Sequence, residues 1–433
     1  MILPNRTGLP NLYGVRLLRD RRVLMVAVAV FLVVALGLRL IEFLIFKEGE
    51  PWGYDFSAYW YAGRSVLEGG PLYADFQLDG SYAPQGRHLY IYPPFLAVVV
   101  APLTSLFTSF REAQAAWALL GFATLMAALS ALVVSRRGIH GPTLFTIAAA
   151  TLAFPPVVSE LINGNVHLFL LGLFALAWLV VQRQSAAGDF AAGAAIGIAA
   201  VIKIFPAIVL VWFVMTGRWR ALGGALVAVL AAVVITLPVV GVEPWLAYPT
   251  VLLNLGRSTD TTDTLAPTAW LSEVMDFAAA RSIVSIAGLL VLAWSALRLR
   301  ASLSFAVAVW VSVLIAPAVY HHYLALATLP LLLGYLHGAS RLGLLAAYLL
   351  MFGGEQPLLG NLDWLTNRAL PSVGAVTLLI ALIRFPIELP KAEEVADGRS
   401  SQAGDDSSLA QVRSASRRRS KSVTTAGLRD RLP

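Results

Sequence analysis

Apolar residues along the chain gather in long blocks that end in charged or turn-forming residues. They do not follow the alternating segments of about 10 residues that mark a membrane β-barrel. Blocks near the roughly 20 residues that cross a bilayer as a helix predict an all-α integral membrane protein. They fall at 23–46, 112–134, 143–158, 166–181, 221–240, 282–297, 303–318, 323–336, 342–352 and 371–385. Two further blocks are interrupted, 89–107 by Pro93, Pro94 and Pro102 and 190–215 by Lys203 and Pro206. Proline removes an N–H and clashes with the preceding turn, so both predict re-entrant or broken segments. The pattern therefore predicts a polytopic helical bundle of about ten crossings plus two broken segments. The block at 23–46 is too long for a signal-peptide core and lacks a small-residue cleavage site, and reads as a retained anchor.

Composition narrows the class. Of the 433 residues 13% are charged and 58% hydrophobic, whereas soluble domains carry about 25% charged residues. That excludes a soluble enzyme, a disordered protein and a nucleic-acid-binding domain. The net charge of +7 sits mostly at block ends and in the tail, where it reports topology and anionic-lipid contact. Arg6, Arg16, Arg19, Arg21 and Arg22 precede the first block, which predicts a cytoplasmic N-terminus over 1–22. Alternation then predicts a large first outer loop at 47–88 and a second at 241–278, both acidic on balance, within a transmembrane domain over 23–388. Residues 389–433, rich in Ser, Asp and Arg and including Arg417, Arg418, Arg419 and Lys421, predict a disordered cytoplasmic tail touching membrane lipids. The expected location is the plasma membrane, multi-pass, with both termini cytoplasmic. With no cysteine, disulfides, thiolate metal sites and cysteine nucleophiles are excluded.

The unusual polar groups cluster on the expected outer face. Asp55 follows the first span among aromatics, and Tyr59 lies four residues on, sharing a helical face. Asp55 there is either a general base, because partial desolvation raises proton affinity, or the N-cap of a helix starting after Tyr54. Tyr92 stands in Tyr90-Ile91-Tyr92-Pro93-Pro94, readable as a proline turn with interfacial tyrosines. In the stretch from Glu160 to His167, Asn163, Gly164, Asn165 and His167 either cap helix ends or present donors to a hydroxylated or phosphorylated ligand. Lys203 at a helix break is costly at bilayer depth, about 2.5 to 3.5 kcal/mol on insertion scales, and so is paired, snorkelling or lining a polar cavity. His321 and His322 are vicinal, so a two-histidine metal pair, which needs i, i+4 spacing, is not expected of them. No Walker loop or dinucleotide fingerprint is present.

In order and placement, Tyr54-Asp55-Phe56 with Tyr59 and Arg64, Gly69-Gly70-Pro71-Leu72-Tyr73, Tyr90 to Pro94, Asn163-Gly164-Asn165, Lys203-Ile204-Phe205-Pro206 and His321-His322 resemble glycosyltransferase family 87 over about residues 22–385. The resemblance implies a GT-C fold enzyme acting extracytoplasmically on a polyprenyl-phosphate sugar donor and a glycolipid or glycan acceptor. The best-studied members are α-1,2-mannosyltransferases of glycolipid synthesis, so it implies mannose transfer with inversion. It assigns Asp55 as the base, and His322, less directly His321, as the group near the donor phosphate. Lys203 and Arg64 follow as further phosphate or acceptor contacts, with Tyr59, Tyr92, Asn163 and Asn165 toward acceptor or sugar. No cofactor and no obligate metal is expected, because His or Arg can stabilise the anionic leaving group. A lipid-linked glycan flippase or an undecaprenyl-glycan ligase or polymerase are the rival readings, since broken helices and intramembrane lysines also mark transport sites.

Overall fold

The computed structural model describes residues 52–83, 88–135, 141–257, 264–353 and 364–384. The expectations for 1–22, the anchor at 23–46 and the tail at 389–433 lie outside them. Every regular element among the described residues is helical, with no strand. The region expected as the first outer loop holds two helices, α1 (Tyr54–Glu68) and α2 (Asp75–Asp79). Pro93 and Pro94 start rather than break the next helix, α3 (Pro94–Leu106), because proline's missing N–H costs nothing at the first helical position. Then come α4 (Phe110–Val134), α5 (Gly141–Leu152), α6 (Pro155–Asn163), α7 (His167–Val181) and α8 (Ala186–Ile202). A 3₁₀ turn (Phe205–Ile208) leads into α9 (Val209–Met215) and α10 (Trp219–Val240). The second expected outer loop contains α11 (Glu243–Leu255) and α12 (Pro267–Ser272). The chain continues through α13 (Phe277–Arg298), α14 (Ala301–Leu314), a 3₁₀ segment (His321–Ala327), α15 (Thr328–Leu336) and α16 (Arg341–Leu350). A π-turn (Leu365–Ala369) opens α17 (Leu370–Ile383).

Among the described residues, four helices are long and apolar enough to cross a membrane: α4, α10, α13 and the continuous stretch Leu365–Ile383. A fifth results if α5 and α6, bent by 57° where they meet, form one broken span. This is a helical membrane protein. Several of the expected crossings are shorter. The helices at 166–181, 303–318 and 342–352 have 15, 14 and 10 residues, and at 1.5 Å per residue each falls short of a bilayer core of about 30 Å. Burial explains why such short segments are so apolar. Every residue of α14 from Ser302 to Leu314 is buried, the signature of a helix surrounded by protein rather than lipid. Its indole Trp310 Nε1 donates to Ala375 O at 2.8 Å, and Trp212 Nε1 donates to Ser304 Oγ at 2.9 Å. α14 thus forms a fixed post that leads into the histidine turn.

Small residues let α8 and α10 touch backbone to backbone, the usual means of close helix packing in lipid. A Cβ on Gly193 would collide with Ala221 O, one on Gly224 with Phe190 O, and one on Gly197 would lie 2.6 Å from Ala225 O. Because the obstacle is backbone, it cannot rotate away. Gly197→Ala is expected to destabilise by about 1 to 3 kcal/mol, the usual cost of overpacking. The check is a lowered thermal midpoint of the detergent-solubilised protein, with an unchanged midpoint as the contrary result.

Candidate functional site

The ends and breaks of five segments converge on one buried cluster. The start of α1 is pinned first. Gly53 adopts φ 67, its N–H donates to Ile162 O at 2.8 Å, and a Cβ there would meet the Phe110 ring. From α4, Gln114 Nε2 donates to the same Ile162 carbonyl at 3.1 Å and Trp117 Nε1 to Gly164 O at 2.9 Å. The end of α6 closes at Gly164, whose φ of 69 is the left-handed cap that favours glycine. Phe56 packs beneath it, its ring 5.6 Å from those of Phe110 and Trp117. With Phe56 so seated, the neighbouring Asp55 reaches the opposite side. Gly53, not Asp55, holds the cap position, and no side chain caps this helix.

Asp55 Oδ2 lies 3.5 Å from His322 Nε2, and Asn165 Nδ2 lies 3.3 Å from the same nitrogen. Asn165 is itself oriented by accepting from the Val166 N–H through Oδ1 at 2.7 Å. His322 rides on the 3₁₀ segment after α14. Thr264 fixes the chain just before it, since Val319 N donates to Thr264 Oγ1 at 2.8 Å and Leu265 N to Val319 O at 2.6 Å. His321, buried on the same turn, is its neighbour. Tyr59 and Tyr92 meet edge to face at 5.0 Å. Burial, with smaller contributions from Tyr92 and Asp55, pushes the Tyr59 hydroxyl well above its ordinary range, so it stays a neutral donor.

Lys203 stands in extended backbone at the break after α8 (φ −152, ψ 134). Its Nζ lies 3.1 Å from His167 Nε2, 4.0 Å from the centre of the Tyr323 ring and 5.3 Å from that of Tyr92. On the other side of His167, Nδ1 is 2.8 Å from Glu160 Oε2, and the His167 backbone N–H donates to Glu160 Oε1 at 2.6 Å. The His167 and His322 rings are 5.5 Å apart.

The cluster therefore brings together Asp55, Tyr59, Tyr92, Asn165, Lys203 and His322. Arg64 lies elsewhere, on the exposed face of α1 with its guanidinium 3.3 Å from Glu68. Asn163 donates to Ser159 O at 3.0 Å on its own helix. Glu160 and Tyr323 were not candidates from sequence, and His167 was one only as a helix cap or ligand donor beside Asn163-Gly164-Asn165. The signal that could have linked Glu160 to His167 is a carboxylate and an imidazole seven residues apart within an apolar stretch, where ionisable groups are expensive. Donor atoms of Glu160, His167 and His322 all lie within 4.8 Å of one another, a set that could hold a metal ion. The Lys203 ammonium beside His167 opposes it, because a second cation so close would be repelled. A cavity of about 390 Å³ lies elsewhere, between α5, α15 and α16, and none of the cluster's residues lines it.

A helical membrane protein with a buried knot of carboxylates, imidazoles and one lysine is built for chemistry or transport on a polar group. The family comparison decides between these classes: the profile of Glycosyltransferase family 87 matches residues 90–333, more than half of the chain, and the chain belongs to that family. It is accordingly a membrane glycosyltransferase, using a sugar donor and an acceptor. Asp55, Tyr59 and Arg64 precede the matched region. Neither the comparison with curated proteins nor that with solved structures gave a match.

Proposed function

We propose that the protein transfers a sugar, mannose by resemblance to the best-studied family members, from a polyprenyl-phosphate donor to a hydroxyl of a glycolipid or glycan acceptor. The observation that carries this reading is the approach of Asp55 to His322, 3.5 Å, with Lys203 on the adjoining buried network. In the step envisaged, the Asp55 carboxylate takes the proton of the acceptor hydroxyl as that oxygen bonds to the anomeric carbon. The bond from that carbon to the phosphate oxygen breaks, and its electron pair leaves with the phosphate. His322 and Lys203, with His321 behind, stabilise the charge that develops there. Asn165 orients His322, while Tyr59 and Tyr92 offer hydroxyls and ring faces to the sugar. Attack from the side opposite the leaving group inverts the anomeric centre. The chemistry needs no metal, because charged side chains serve the leaving group.

Basic clusters on one side and acidic connections on the other support a multi-pass plasma-membrane protein with this site on the extracytoplasmic face. A lipid-carried donor suits that face, where no pool of soluble nucleotide sugar is at hand. Membership of a glycosyltransferase family favours transfer over flipping. The test supplies purified protein with polyprenyl-phosphate mannose and a glycolipid acceptor. Formation of an extended glycolipid supports the proposal, and lipid flux without product contradicts it. His322→Ala is expected to lower turnover more than His321→Ala, because the His322 imidazole has Asp55 at 3.5 Å. The reverse order would exchange their roles.

A further inference from the structure

Glu160 and His167 join the cluster through Lys203 and have no part in the transfer step described above. Both are buried, with the His167 side chain at 0% exposure and that of Glu160 at 1%. A buried carboxylate is retained against its desolvation cost only where it is paired and hydrogen-bonded. Here both Glu160 oxygens are engaged, one by the His167 backbone N–H and one by the ring. For a carboxylate on one side and an ammonium on the other, one tautomer of the ring satisfies both contacts. A nitrogen facing a carboxylate carries the proton, and one facing an ammonium must accept. Hence Nδ1–H donates to Glu160, and Nε2 accepts from Lys203 at 3.1 Å. The other tautomer would present Nε2–H to the ammonium and repel it, and a flipped ring would present a C–H in place of the acceptor.

We propose that Glu160 and His167 are positioning residues that hold the Lys203 ammonium for the donor's phosphate: Glu160 fixes the tautomer of His167, and His167 Nε2 together with the Tyr323 ring fixes Lys203. The inference rests on the reading of Lys203 as a phosphate contact. Outer partners that orient metal ligands change affinity by about 10- to 100-fold when lost, and an effect of the same order is expected for an oriented ammonium. The backbone adds a reason for such support. Lys203 sits at a helix break, and His167 Nε2 gives its long side chain a directional contact that the Tyr92 and Tyr323 ring faces do not.

The experiment measures binding of polyprenyl phosphate, the leaving group alone, to wild type, Lys203→Met, Glu160→Gln and the double variant. Glu160→Gln keeps the volume and one hydrogen bond but removes the charge, so the tautomer is no longer imposed. Glu160→Gln is expected to weaken binding about 10- to 100-fold, and to add little in the Lys203→Met background, because residues acting through one another are not additive. A purely structural role for Glu160 would weaken both backgrounds equally, which overturns the inference. If Lys203→Met itself leaves affinity unchanged, the phosphate role of Lys203 fails first. If Lys203→Met weakens binding while Glu160→Gln does not, only the positioning role fails. His167→Gln, whose amide still accepts from an ammonium, should bind better than His167→Leu, and this pair decides the matter if Glu160→Gln is not recovered folded. A stoichiometric divalent ion in the purified protein, lost in Glu160→Gln, would make these residues ligands and also overturn the inference.

Discussion

Replacing Asp55 with Asn should lower turnover by roughly 100- to 10,000-fold, the size of a general-base contribution, while the protein elutes and melts like wild type. The reason for both halves lies in the geometry. Asp55 caps nothing, since α1 is held by Gly53 bonding to Ile162 and by Phe56 packed against Phe110 and Trp117. Asparagine is nearly isosteric, so the helix start and the 3.5 Å approach to His322 have no cause to move. What is lost is the negative charge and the ability to take a proton. The measurement is single-turnover transfer with saturating donor and acceptor, beside a thermal melt of the same preparation. Near-normal transfer by a folded Asp55→Asn protein would remove the base assignment.

A single methyl group at Gly164 should cost about 2 to 5 kcal/mol of stability. Two independent penalties add. The residue sits at φ 69, a left-handed conformation that costs a residue bearing a Cβ about 1 to 2 kcal/mol. The new Cβ would also lie 2.7 Å from Phe56 Cβ, and overpacking of that kind typically costs about 1 to 3 kcal/mol. Phe56 is fully buried and wedged among aromatic rings, so it has nowhere to yield. Gly164→Ala is thus expected to melt well below wild type in detergent, and the part that remains folded should transfer poorly, because Phe56 is the neighbour of Asp55. An alanine variant that melts like wild type would show that the α6 end can relax without disturbing α1.

How much of this was legible in the sequence depends on which physical signal was at work. Helical membrane character followed from the charge deficit and block lengths, and the break at Lys203 from a lysine and a proline inside an apolar run. Block length could not distinguish a helix crossing lipid from one enclosed by protein. The segment 302–314 is buried along its whole length, and hydropathy gives the same value for burial in protein and for contact with lipid. In the cluster, Asp55, Lys203 and His322 stood out because each is an ionisable group at an expensive position. Whether Asp55 capped its own helix was undecidable locally; the left-handed Gly53 two residues earlier takes that place in the fold. The Glu160–His167–Lys203 chain was hidden because its last link joins residues 36 apart, a tertiary contact with no local period. Arg64 had a visible alternative, since Glu68 at i+4 on an exposed helix face is a ready ion-pair partner.

The most direct test is a cryo-electron microscopy structure of the protein with its polyprenyl-phosphate sugar donor bound. The account predicts the phosphate against His322 and Lys203, with the anomeric carbon turned toward Asp55. Donor phosphate seated where it touches neither His322 nor Lys203, with Asp55 facing away from the sugar, would contradict it.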